Sequence, residues 1–244
     1  KRGAPVGIGP VTGAPVKIQH GDIGYVSVWT ADAKRAATFY AHVLGWTYDG
    51  HHVANSTLSM GIYEGSGPNT LFCCYAVDDV EAARASIVAG GGTAGEPQDA
   101  PFGRVVDATD PQGIPFAVYQ DPGGTPRPAL NGTGPGELSY VTYEVPDSGA
   151  FRAFYSRFLF WTYESGRIED GWAVQGSQPM AGIAGGSAGA ARTVPMWTVA
   201  DIQAAVTRVR EAGGTVIDEP SQQSYGMSAL CTDDQGTRFY LGQH

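Results

Sequence analysis

The chain has 244 residues, 42% of them hydrophobic and 11% aromatic, the make-up of a globular protein rather than a disordered one. Its net charge is −9 and Lys and Arg form no cluster, so nucleic acid and anionic membrane surfaces are not expected partners. Three irregularly spaced cysteines, Cys73, Cys74 and Cys231, exclude a disulfide framework or zinc site, and no apolar run is long enough for a membrane span. With no basic-then-apolar leader pattern at the start, a reduced, cytoplasmic protein is expected.

Residues 1–19 are rich in Gly, Pro and Val and predict an extended arm. A first domain is expected over 20–120. Its opening strand, Gly24 to Trp29, is followed by Asp32 as N-cap of a helix carrying Ala36, Phe39, Tyr40, Val43 and Leu44 on one face, with Gly45 as its stop. Short strands are predicted over 46–49, 52–58 and 59–63. A second module follows: an apolar strand from Leu71 to Val77, a helix with Val80, Ala83 and Ile87 inward, a stop at Gly90 to Gly92, then strands over 104–109 and 115–119. Cys73 and Cys74, adjacent on a strand, must point to opposite faces.

Residues 121–136 (DPGGTPRPALNGTGPG) predict a linker, and everything after it repeats what came before. Tyr25-Val26, Asp32, Phe39-Tyr40, Leu44 and Trp46-Thr47-Tyr48 recur 115 positions later as Tyr140-Val141, Asp147, Phe154-Tyr155, Leu159 and Trp161-Thr162-Tyr163. Asp79, Gly91-Gly92-Thr93, Glu96-Pro97, Asp110 and Gln112-Gly113 recur as Asp201, Gly213-Gly214-Thr215, Glu219-Pro220, Asp233 and Gln235-Gly236. A second domain of the same design is therefore expected over 137–244, with Phe160 where the first copy has the stop glycine.

Four successive βαβββ modules, with F-Y-x-x-x-L-G-W after the first helix and D-P-x-G before the last strand, resemble the vicinal oxygen chelate superfamily of glyoxalases, bleomycin-resistance proteins and extradiol dioxygenases. The resemblance covers residues 20–244 and is nearest to bacterial tandem-repeat members. It implies an α+β fold of two tandem glyoxalase-like domains, each a curled mixed sheet around a pocket. It also implies where metal ligands would stand, and there this chain departs from the pattern: Tyr25, Phe72 and Ala117 in one repeat, Tyr140, Val194 and Tyr240 in the other. Only Glu64 stands close to a remaining ligand position, and its copy falls at Ala184-Gly185. No metal and no cofactor are expected; His51 or His52 with Glu64 is the alternative.

Strand alternation names the side chains that share the pocket face. In the first repeat these are Tyr25, Ser27, Trp29, Phe72, Cys74, Ala117 and Tyr119. In the second they are Tyr140, Thr142, Glu144, Val194, Met196, Thr198, Arg238 and Tyr240. Tyr25, Trp29, Phe72, Tyr119, Thr142, Met196 and Arg238 are candidate ligand contacts, and the second repeat is the favoured pocket. Glu144 and Arg238 read either as a structural ion pair or as a general base beside Tyr140 or Tyr240. Gly185 to Gly189 fits G-x-S-x-G but lacks the strand-to-helix context of a nucleophile elbow. The expected function is binding or sequestration of a small organic molecule, an antibiotic or metabolite. A metal-independent lyase, isomerase or cyclase is the alternative, and a metal-dependent glyoxalase or dioxygenase the second; a homodimer is compatible with each.

Overall fold

The structure, a computed structural model, describes residues 15–244; most of the expected arm, residues 1–14, lies outside the described residues. A short strand β1 (Val16–Lys17) opens it. The first domain then runs β2 (Ile23–Thr30), α1 (Ala33–Leu44), β3 (Tyr48–Asp49), β4 (His52–Val53), β5 (Ser59–Glu64), followed by β6 (Thr70–Val77), α2 (Val80–Ala89), β7 (Thr93–Ala94), β8 (Gln98–Ala100), β9 (Gly103–Thr109) and β10 (Pro115–Gln120). Between the domains β11 (Pro126–Arg127) pairs with β1. The second domain runs β12 (Leu138–Glu144), α3 (Ser148–Leu159), β13 (Thr162–Ser165), β14 (Gly171–Gln175), β15 (Ala181–Ala184), then β16 (Arg192–Thr198), α4 (Ile202–Glu211), β17 (Thr215–Gln223), β18 (Gly226–Thr232) and β19 (Arg238–Gln243).

Each domain folds into one mixed sheet, ordered β3-β4-β5-β2-β6-β10-β9-β7 and β13-β14-β15-β12-β16-β19-β18-β17, with β8 also bonded to β9. The two modules of a domain thus pair with each other, β2 antiparallel to β6 and β12 antiparallel to β16. Four helices are present among the described residues, and each begins at an aspartate whose side chain accepts a backbone N–H of the first turn: Asp32, Asp79, Asp147 and Asp201. Gly45 ends α1 at φ 74°, and Phe160 takes the same left-handed conformation at φ 60°, its ring stacked on His20 at 4.3 Å.

The helices cover one side of each sheet, and those sides face each other across a single core. Helix α1 packs on α4 and α2 on α3. The contacts are reciprocal about an approximate two-fold axis. Tyr40 donates to Asp233 Oδ2 (2.7 Å) and Tyr155 to Asp110 Oδ2 (2.8 Å). Trp46 Nε1 donates to Gly136 O and Trp161 Nε1 to Gly21 O, both at 3.0 Å. Gln235 bonds the backbone of Asp32 in both directions, as Gln112 does that of Asp147. The repeated residues therefore join the two domains. Full burial of each large aromatic contributes about 2 kcal/mol, which favours keeping the halves together.

Desolvation raises the carboxyl groups of Asp22, Asp107, Asp110 and Glu137 above their ordinary values of 3.8 and 4.5, while hydrogen bonds from Ser148 and Trp172 lower Asp170. A raised carboxyl binds more protons folded than unfolded, so its contribution to stability falls as pH rises from the ordinary value through the raised one. With four groups raised against one lowered, the melting temperature is expected to rise as pH is lowered through the range just above the ordinary carboxyl values. Asp110→Asn should flatten that slope in scanning calorimetry; an unchanged slope would remove Asp110 from the cause.

Candidate functional site

The opposite, concave sides of the two sheets face away from the core, and their registers allow residue-by-residue comparison. Across the first sheet Tyr25, Cys74, Ala117 and Asp107 form one row, with Tyr25 opposite Cys74, Cys74 opposite Ala117 and Ala117 opposite Asp107. The equivalent row of the second sheet is Tyr140, Met196, Tyr240 and Leu230. Where the second domain has a thioether and a phenol at the centre, the first has a thiol and a methyl. A cavity of about 880 Å³ opens above these small groups, walled by Tyr25, Trp29, Tyr63, Phe72 and Phe102.

Trp29 and Phe72 lie parallel in that wall, ring centres 4.6 Å apart and planes 8° apart, with Tyr63 5.6 Å from Trp29. Ser27 Oγ donates to Tyr25 Oη at 2.7 Å. Burial raises the Tyr25 phenol, and burial with Asp107 nearby raises the Cys74 thiol, so both stay neutral near pH 7. The expected contacts Tyr25, Trp29 and Phe72 thus come together on one cavity. Tyr119 does not join them: it is 6% exposed and fills the space left by the absent side chain of Gly24. This corrects its assignment as a ligand contact.

The second domain differs from the favoured-pocket expectation. Its cavity, about 560 Å³, draws mainly on polar residues of β17 and β18, with Tyr240 the single expected catalytic residue on its wall. Tyr140 lies against Gly182, Met196 is buried beside Gly242, and Thr142 is half-buried. Glu144 Oε1 is 3.9 Å from Arg238 Nε, the ion-pair geometry. Burial raises the phenols of Tyr140 and Tyr240, Glu144 adding to the latter.

Metal-ligand chemistry does not assemble at the implied positions. Glu64 lies on the other face of β5 and accepts from the Ala33 N–H at 3.0 Å, capping α1, while Tyr63 faces the cavity. His51 and His52 are exposed, and no group of three or more His, Cys, Asp or Glu side chains placed to hold a metal ion occurs among the described residues. The donors present do not fit the metal that the fold implies. Arg104 is turned away from the cavity toward Glu81 (3.4 Å) and Asp99 (4.0 Å).

Residues 25–119 and 140–242 each match the family model of the glyoxalase-like domain. The chain belongs to this family. Its fold is similar to that of the Mn(II)-bound glyoxalase of Novosphingobium aromaticivorans (TM-score 0.68, 17% identity, 93% of this chain and 82% of that one). A similar likeness holds to 2,2',3-trihydroxybiphenyl 1,2-dioxygenase of Sphingomonas wittichii (TM-score 0.64, 14% identity, 91% and 90% covered). CFP32 of Mycobacterium tuberculosis, whose name provisionally calls it a glyoxylase, is 29% identical over 91% of this chain and 94% of its own. The anthracycline biosynthesis protein DnrV of Streptomyces peucetius is 32% identical over 68% of this chain, which spans 62% of that relative's length. Within this glyoxalase-like chain no described helix is long and apolar enough to cross a membrane.

Proposed function

We propose that this glyoxalase-like chain binds a flat, aromatic small molecule in the cavity of its first domain, without using a metal ion. The parallel Trp29–Phe72 pair beside an open floor carries this reading, because an aromatic wall over small groups is a slot for a ring. A volume of about 880 Å³ suits a multi-ring molecule, within the usual range for organic ligands. Relatives named for anthracycline biosynthesis support a polycyclic ligand of antibiotic metabolism. The buried, free cysteines are compatible with a reducing, cytoplasmic setting. The Glu144–Arg238 pair of the second domain does not favour catalysis over binding, since Arg238 engages the carboxylate.

Titration with polycyclic aromatics, followed by calorimetry, tests the proposal. Trp29→Ala should weaken binding about tenfold or more through lost ring contact, and the ligand should be recovered chemically unchanged. Unaltered affinity in that variant would place the ligand elsewhere; a transformed ligand would make the chain an enzyme.

A further inference from the structure

We infer that the ligand is a cation, an aromatic molecule whose protonated amine sits at Asp107 while its ring lies against Trp29 and Phe72. This rests on the first-domain cavity being the binding site and adds the charge of what it takes. Among the residues that line the cavity Asp107 is the single acid, and no Lys, Arg or His accompanies it. The register puts Asp107 opposite Ala117, so the carboxylate's cross-strand neighbour on the cavity face is a methyl group. Among the described residues Asp107 makes no salt bridge; the nearest arginine along β9, Arg104, is committed to Glu81 and Asp99.

The fold itself does not require an acid here. The equivalent position in the second sheet is Leu230, which sits opposite Tyr240 as Asp107 sits opposite Ala117. Asp107 is exposed yet partly desolvated, as its raised titration reflects, and its carboxylate gains interaction energy when an ammonium group enters. An anionic ligand would meet an acid with no compensating base, so the lining also selects against negative charge.

Three probes sharing one ring system separate the possibilities: naphthylmethylamine, naphthylmethanol and naphthylacetate, titrated calorimetrically into the full chain. The amine should bind tightest and the acetate weakest. Asp107→Asn should cut the amine's affinity about tenfold and leave the alcohol within about twofold, and Asp107→Lys should reverse the order of amine and acetate. If amine and alcohol bind the wild-type chain alike, the cation assignment falls while the aromatic cavity stands. If none of the three binds, the cavity reading falls and this inference with it.

Discussion

Replacing Cys74 with Met and Ala117 with Tyr together is expected to abolish ligand binding in the first domain, by about a hundredfold or more, in a chain that still folds with a modestly lowered melting temperature. The chain supplies the precedent, since Met196 and Tyr240 occupy the equivalent positions of a sheet with the same register. Cys74 and Ala117 are buried among Tyr25, Phe72 and Tyr119, so the enlarged side chains meet some overlap before they extend into the cavity of about 880 Å³ that they border. The added phenol would lie between Cys74's position and Asp107, over the floor where a ring would otherwise rest. Binding by calorimetry and unfolding by scanning calorimetry on the same variant decide the matter. Full affinity in a folded variant would mean that the ligand does not reach the floor. The reverse exchange, Met196→Cys with Tyr240→Ala, should deepen the second domain's concavity and cost stability, because it removes contacts from a buried side chain, Met196.

The same comparison explains why the fold was legible and the pocket was not. Strand β2, helix α1 and their copies declare themselves through an aspartate cap, an apolar stripe and a left-handed stop, each a local signal. Strands β7, β8 and β17 were missed because Pro97 and Pro220 with neighbouring charges resemble loop, and their pairing with β9 and β18 is set by the sheet rather than by propensity. The span 52–58, expected as one strand, contains only β4, since Asn55 folds back on Thr47 N and Gly45 O. For the site, attention to charge picked out Glu144 and Arg238, which turned out to face each other. The cavity is made by side chains that are small, and the contrast of Cys74 and Ala117 with Met196 and Tyr240 was present in the repeat. Asp107 was missed because its facing depends on counting back across the β9–β10 hairpin from Ala117. Tyr119 shares the alternation of its strand but meets Gly24, a contact that strand periodicity does not encode.

Cut within the linker and expressed as two chains, the halves are expected to reassemble one-to-one in preference to pairing with themselves. The interface is nearly self-complementary. In two copies of the first half, Tyr40 would find Asp110 and Asp32 would find Gln112, because these are the equivalents of the Asp233 and Gln235 they now contact. Trp46 would likewise find Gly21 in place of Gly136. Each half alone should therefore dimerise rather than expose Phe39, Tyr40 and Trp46, or Phe154, Tyr155 and Trp161, to water. At the centre the symmetry fails. Tyr75 Oη lies 2.5 Å from Tyr143 Oη, and the equivalents of these residues are Trp197 and Val28. Two first halves would bury Tyr75 against Val28, leaving its phenol without the Tyr143 partner, whereas two second halves would set Tyr143 against Trp197, whose buried indole N–H is unpartnered among the described residues. An unpaired buried hydroxyl costs about 1–3 kcal/mol, twice in the first-half self-pair, enough to bias assembly away from that pair and toward the mixed complex. Native mass spectrometry of mixed halves, one isotopically labelled, reads the three species directly. Tyr75→Phe should weaken the preference, since the first half then has no hydroxyl to leave unpaired and the mixed pair loses its hydrogen bond. A statistical mixture from the wild-type halves would show that the Tyr75–Tyr143 contact does not select the partner.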